Sequence, residues 1–207
     1  MYLLNWRKAM DKERLEKQVE FCREIDKEKR IMRQTYLTNF DKENDAEHAW
    51  HMAIMALVLS EYSNEDIDLL KTVSMILIHD LVEIYAGDTY AYDEKAKESQ
   101  AEREKAGADR VFGMLPTEQG ERLRALWEEF EACETPEAKF ARTMDNFQPV
   151  MLNHATGGKM WREKGIRLSQ ILKRNENTPL GSEALWEYSR DNFILPHVEK
   201  GEIVNDI

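Results

Sequence analysis

The chain has 207 residues, enough for one hydrophobic core and short of the roughly 250 at which chains tend to split into domains. Hydrophobic residues make up 42% and charged residues 33%, with nine Gly and five Pro, a balance that suits an all-α fold and leaves little material for turn-rich β structure. A formal charge of −11 argues against a broad surface for nucleic-acid polymers or anionic membranes, both of which need clustered Lys and Arg, so an anionic ligand requires a local basic pocket.

From Trp6 to Gln34 the sequence is highly charged, but Leu15, Val19, Cys22 and Ile25 recur at helical spacing, which predicts a long amphipathic first helix. The opening residues turn charged too early for a signal-peptide core, and no later apolar run is long enough to span a bilayer. Cys22 and Cys133 lie far apart, with no second cysteine near either, which fits a reduced, cytoplasmic setting.

Asn44 or Asp45 can cap a second helix whose circumference is almost wholly apolar, and that helix is expected to be central. Asn64, Glu65 and Asp66 signal a third start, and the helix should run from Ile67 to Ala86 and stop at Gly87. The stretch 87–95 reads as a loop. Helices are expected again over Lys95–Met114, Thr117–Cys133 and Pro136–Ala155, the last capped by Thr135. After Gly157-Gly158 the pattern weakens, and two shorter helices follow at about Ile166–Asn175 and Ser182–Leu195. No composition shift marks a boundary, so residues 1–207 are expected to form one domain.

The anomaly in this pattern is His79-Asp80 inside SMILIHDLVEI, the most hydrophobic stretch of the chain. An ionised carboxylate in a buried helix costs several kcal/mol unless it is paired or bound to a cation. Glu83 lies four residues after His79 and three after Asp80, so one helix face gathers an imidazole and two carboxylates, and a metal site explains all three. A second titratable cluster, Glu47, His48 and His51, stands at the head of the second helix, where both histidines can ligate or, more simply, one ligates while Glu47 holds the other. Its order, E-H-x-x-H, is not that of a zinc peptidase. A further oxygen ligand is needed from another helix, and Asp145 offers one among the core-like Phe140, Met144, Phe147 and Met151. Asp88, after Gly87, reads locally as a turn residue. His154 and His197 have no carboxylate or histidine at ligand spacing and are read as structural or exposed.

These residues resemble the HD superfamily of phosphohydrolases: a first His, a later adjacent His-Asp and a distant Asp, here His48, His79-Asp80 and Asp145. The resemblance runs through AEHAWHMA, HDLVEIYAGD and the Asp145 helix, covers about residues 33–153, and looks closest to the small branch that includes bacterial 5′-deoxynucleotidases. It implies a compact helical bundle, one divalent transition-metal ion (manganese, cobalt, iron, nickel or zinc), a small phosphoester substrate such as a nucleotide, and a homodimer. It also implies that Glu83 orients or deprotonates the attacking water, that Asp88 lies across the site, and that Arg33 contacts the phosphate. Glu83-Ile84 departs from the Glu-Asp pair of guanosine tetraphosphate hydrolases, and the extra histidines of cyclic-dinucleotide phosphodiesterases are missing. The remaining alternatives are a nucleoside triphosphate, an alarmone or a non-nucleotide phosphoester as substrate, or a non-catalytic helical protein stapled by a structural metal.

Overall fold

In the computed structural model, which describes residues 11–92, 95 and 98–207, the fold is all-α with one small β-ribbon. The first helix, α1, spans Lys12–Glu24, capped by Asp11, whose side chain accepts from Arg14 N; the start expected at Trp6 lies outside the described residues. The expected continuation to Gln34 does not form. A short 3₁₀ turn over Ile25–Arg30 gives way to strand β1, Met32–Tyr36, paired antiparallel with β2, Lys42–Asn44. The turn between them places Phe40 at φ 69°, a conformation the sequence does not advertise. The face expected to be buried on α1 is also wrong. Leu15, Val19 and Cys22 are exposed and Phe21 is buried instead, because the helix meets the body mainly through its C-terminal end.

Helix α2, Asp45–Leu59, starts where expected. Asn44 accepts from Glu47 N while the Glu47 carboxylate accepts from Asn44 N, so a capping box fixes this terminus. One face of α2 (His48, Ala49, Met52, Ala53, Ala56) is buried, but Trp50, Ile54, Leu57 and Val58 on the other face are exposed. The helix is therefore not central, and its apolar outer face has no covering element among the described residues. Helix α3 covers Leu69–Ile78, capped by Asp68 rather than Asn64. Asn64 instead binds the Pro179 carbonyl and Glu183 N, tying the C-terminal third to the body.

The expected run to Ala86 is interrupted: His79–Val82 tightens into a 3₁₀ turn before the short helix α4, Glu83–Ala86, which Gly87 ends at φ 75°. Helices α5 (Gln100–Phe112), α6 (Thr117–Ala132) and α7 (Pro136–Ala155) follow. Thr135 caps α7 by accepting from Ala138 N, and α7 runs through Pro149 without a break. At Gly107 a Cβ would strike the Val82 carbonyl, so glycine lets α5 press directly against the His79–Val82 turn.

The core around α2, α3 and α7 contains Met52, Ala56, Met75, Ile76, Phe130, Phe140 and Met144. A second cluster lies beneath the His79–Val82 turn, and a third unites Val150, Met160, Trp161, Ile171 and Ile194. The third cluster carries the short helices α8 (Lys159–Lys164) and α9 (Leu168–Arg174), and the chain closes through α10 (Thr178–Gly181), α11 (Glu183–Ser189) and α12 (Leu195–Glu199). No helix among the described residues is long and apolar enough to cross a membrane.

Candidate metal centre

The capping box of α2 holds His48 in the first turn, fully buried, with Nδ1 3.0 Å from Gln148 Oε1. The amide of Gln148 donates from its other end to Glu43 Oε1 and to His51 Nδ1, which directs its oxygen toward His48. His79 opens the 3₁₀ turn with Nδ1 2.7 Å from the Ile76 carbonyl. A carbonyl can only accept, so Nδ1 is the donor in each imidazole, which leaves Nε2 as the nitrogen that could bind an ion. Both Nε2 atoms face Asp145 on α7, at 3.3 Å from Asp145 Oδ1 for His48 and 3.9 Å for His79.

Among the described residues, one group of histidine and carboxylate atoms is close enough to share an ion: His48, His79 and Asp145, all buried, with ligand atoms within 4.8 Å of one another. Asp80 Oδ1 adds an oxygen 3.1 Å from His79 Nε2, and that nitrogen still makes no hydrogen bond. Donors bonded to a common transition metal at about 2.1 Å stand roughly 3.0–3.4 Å apart; His48 Nε2 to Asp145 Oδ1 at 3.3 Å and His79 Nε2 to Asp80 Oδ1 at 3.1 Å match that spacing, whereas His79 Nε2 to Asp145 Oδ1 at 3.9 Å is wider and would close in on an ion. The donor set suits a divalent transition metal rather than calcium.

The electrostatics point the same way. Burial disfavours a charged ring and brings His48 down to about 4. At His79 burial acts in the same direction, but the Asp80 carboxylate outweighs it and raises the ring to about 9. Burial alone would raise Asp80 and Asp145 too. His79 and Arg33 overcome it at Asp80, and Arg174 and Arg142 overcome it at Asp145, so both carboxylates stay ionised far below the usual range. The centre thus keeps two negative charges, and His48, His79, Asp80 and Asp145 would offer a bound cation the place that the His79 proton takes without one.

Arg33 projects from β1 into this acid cluster, 2.8 Å from Asp80 Oδ2 and 3.1 Å from Asp45 Oδ1, with Glu43 at 3.9 Å. Glu83 is buried beside it with Oε2 unpartnered; burial, then Asp80 and Asp45, push its carboxyl up to about 11. Burial also raises Asp88, which lines the opposite rim of the cleft after Gly87. Arg103 on α5 pins that rim by donating to the Ala86 carbonyl and to Thr89 Oγ1. The resulting cleft, about 180 Å³, has a polar end at His79, Asp80, Glu83 and Asp145 and apolar walls that include Tyr90, Trp127 and Met160.

The seven residues to which the resemblance gives a role, Arg33, His48, His79, Asp80, Glu83, Asp88 and Asp145, stand in or directly behind this cleft. His51 does not face the centre. It buttresses Gln148, while Glu47 is used by the capping box and holds neither histidine. His154 and His197 stay outside the site as expected, but not for want of partners: they lie 3.2 Å apart, and His197 also binds Glu202. Sequence reasoning missed Glu43, Asp45, Gln148, Arg142 and Arg174. Arg142 and Gln148 sit three residues either side of Asp145, a helical spacing that could have revealed them, whereas nothing local marks Arg174.

Comparison with known proteins agrees with this geometry. The protein is 31% identical to 5′-deoxynucleotidase HDDC2 of Bos taurus over 136 residues, which are 64% of each chain. It is 28% identical to the Homo sapiens protein of the same name over 186 residues, 80% of this chain and 89% of that one. The matches span 64% and 60% of the Bos taurus and Dictyostelium discoideum relatives. A crystal structure of a predicted metal-dependent phosphohydrolase from Magnetospirillum magnetotacticum MS-1 superposes with a TM-score of 0.87 at 42% identity, covering 92% of this chain and 96% of that one. The model of the HD domain matches residues 25–186, spanning both histidines and all three aspartates of the cleft, and the chain belongs to the HD domain family.

Proposed function

We propose that the protein is a metal-dependent phosphomonoesterase acting on nucleoside 5′-monophosphates, with deoxynucleotides favoured. The observation that carries this reading is the convergence of His48 Nε2, His79 Nε2 and Asp145 Oδ1 at one end of a cleft that also presents Glu83 and Asp88. The choice of substrate leans on the relatives named 5′-deoxynucleotidase. The whole chain acts as one unit, since the cleft takes residues from Arg33 through Asn175.

His48, His79, Asp80 and Asp145 would hold the ion, one of manganese, cobalt, iron, nickel or zinc, which when bound supplies Lewis acidity toward a phosphate oxygen and acidifies water. Glu83, whose carboxyl a bound cation would lower, orients the attacking water and takes its proton. As the water oxygen bonds to phosphorus, the ester P–O bond breaks and the leaving alkoxide takes a proton. Asp88, which burial biases toward its protonated form, supplies that proton. Arg33 offsets charge on the acid cluster and on the phosphate.

Inorganic phosphate release from a panel of deoxynucleoside, ribonucleoside and non-nucleotide monophosphates, with a nucleoside triphosphate as comparison, tests this reading. Metal-dependent release highest on deoxynucleoside monophosphates is the expected result; release of tripolyphosphate, or silence with every metal, contradicts it. The mounting of His48 gives a separate prediction. Gln148→Ala removes the acceptor that orients the ring and should weaken manganese binding roughly ten- to a hundredfold, read by isothermal titration.

The exposed apolar side chains Trp50, Ile54, Leu57 and Val58, at helical spacing along α2, with Leu70 and Leu77 exposed on α3, support a homodimer, because an exposed apolar helix face suits a two-fold, self-complementary contact. Leu57→Glu with Val58→Glu should convert dimer to monomer in light scattering; a wild type that is monomeric at tens of micromolar refutes the assignment. Cys22 and Cys133 are both free, which supports a cytoplasmic setting.

A further inference from the structure

Three arginines reach the cleft, and their partners differ. Arg33 is surrounded by Asp80, Asp45 and Glu43. Arg142 divides its guanidinium between Asp145 Oδ2 at 3.3 Å and Glu131 at 3.1 Å, and lies 4.0 Å from the Phe130 ring centre. Arg174, the last residue of α9, donates from Nη2 to Asp145 Oδ2 at 2.9 Å, and among the described residues Asp145 is its sole hydrogen-bond and ion-pair partner. Its side chain is 31% exposed and lines both the main cleft and an adjoining hollow with Ala91, Tyr92 and Lys173. The remaining N–H donors of Arg174 therefore stay available beside the proposed metal centre.

The carrier of Arg174 is rigidly mounted. Asn175, the next residue, is buried and donates to the Ile171 carbonyl. On α7, two residues before Asp145 and one after it, Thr143 Oγ1 donates to the Thr178 carbonyl at 2.9 Å and Asn146 Nδ2 to Thr178 Oγ1 at 3.1 Å. Ile171 and Leu168 anchor α9 in the third core cluster, and Leu168 N binds the Val204 carbonyl. The C-terminal third thus holds one cation against the outer oxygen of Asp145, whose inner oxygen faces the histidines.

We propose that Arg174 is a second substrate-binding arginine for the phosphate dianion, holding Asp145 Oδ2 with one N–H and a phosphate oxygen with another, and that it favours monoesters over singly charged diesters. This rests on the phosphomonoesterase reading above. A guanidinium suits the role because its fan of fixed N–H donors serves two oxygens at once. Arg33, engaged by three acids, balances the acid cluster and offsets charge on the phosphate from the other side.

The test compares wild type with Arg174→Met and Arg174→Lys, all loaded with manganese. It measures manganese affinity by electron paramagnetic resonance, inorganic phosphate affinity by calorimetry, and kcat and KM on a deoxynucleoside monophosphate and on bis(p-nitrophenyl) phosphate. Expected for Arg174→Met are phosphate affinity and monoester KM weakened roughly ten- to a hundredfold, as for loss of a charge-assisted hydrogen bond. Manganese affinity should change only a few-fold, the monoester-to-diester ratio of kcat/KM should fall, and Arg174→Lys should recover part of the loss. If wild type binds phosphate through Arg174 yet hydrolyses nothing, the anion site stands and the hydrolase reading falls. Phosphate affinity and KM unchanged in Arg174→Met, or a loss confined to manganese affinity, overturns the proposal and leaves Arg174 as a prop for Asp145.

Discussion

Asp145→Ala is expected to purify without its metal and to release phosphate only at background rate. The carboxylate stands between two histidines and two arginines, so its loss removes a ligand oxygen and leaves Arg142 and Arg174 facing each other without their common anion. Removing one partner from a buried ion pair costs about 3–5 kcal/mol, and partial solvation of the two arginines places the penalty near the lower end. Asp145→Asn keeps the volume and one acceptor oxygen, so it should recover much of the stability and little of the metal. Metal content by mass spectrometry, with thermal denaturation alongside, separates the two effects. Full metal content in Asp145→Ala contradicts its role as ligand.

Glu83→Gln should give the opposite pattern, retaining the metal while kcat falls by roughly two to four orders of magnitude, as for loss of general-base assistance. Glu83 is buried with one carboxyl oxygen lacking any hydrogen-bond partner, a costly arrangement with no structural use among its neighbours. The amide keeps the shape and cannot take a proton from water. The acidic limb of the wild-type rate profile, where protonation of Glu83 stops catalysis, should vanish with it. Turnover within a few-fold of wild type would remove Glu83 from the mechanism.

How far the sequence disclosed this architecture depended on where the signal lay. Helices with strong punctuation were legible: Asn44 with Glu47, Thr135 before Pro136 and Gly87 all mark termini by local chemistry. The β-ribbon was not, because Met32–Tyr36 is short, with Thr35 its lone β-branched residue, and its turn relies on Phe40 in a left-handed conformation. The His79–Val82 turn also escaped notice, since an apolar run does not distinguish an α turn from a 3₁₀ one. The ligand candidates could be picked out because buried His and Asp contradict their apolar surroundings. Their supports could not: Asp45 reads as a helix-start acid, and Arg174 reaches Asp145 across 29 residues of sequence through tertiary packing alone.

A crystal of the protein grown with manganese, measured near the manganese absorption edge, tests the central claim most directly. An anomalous peak is predicted within about 2.0–2.4 Å of His48 Nε2, His79 Nε2 and an oxygen each of Asp80 and Asp145, with Glu83 facing a water beside it. A peak elsewhere, or none at full manganese loading, contradicts the assignment of the centre.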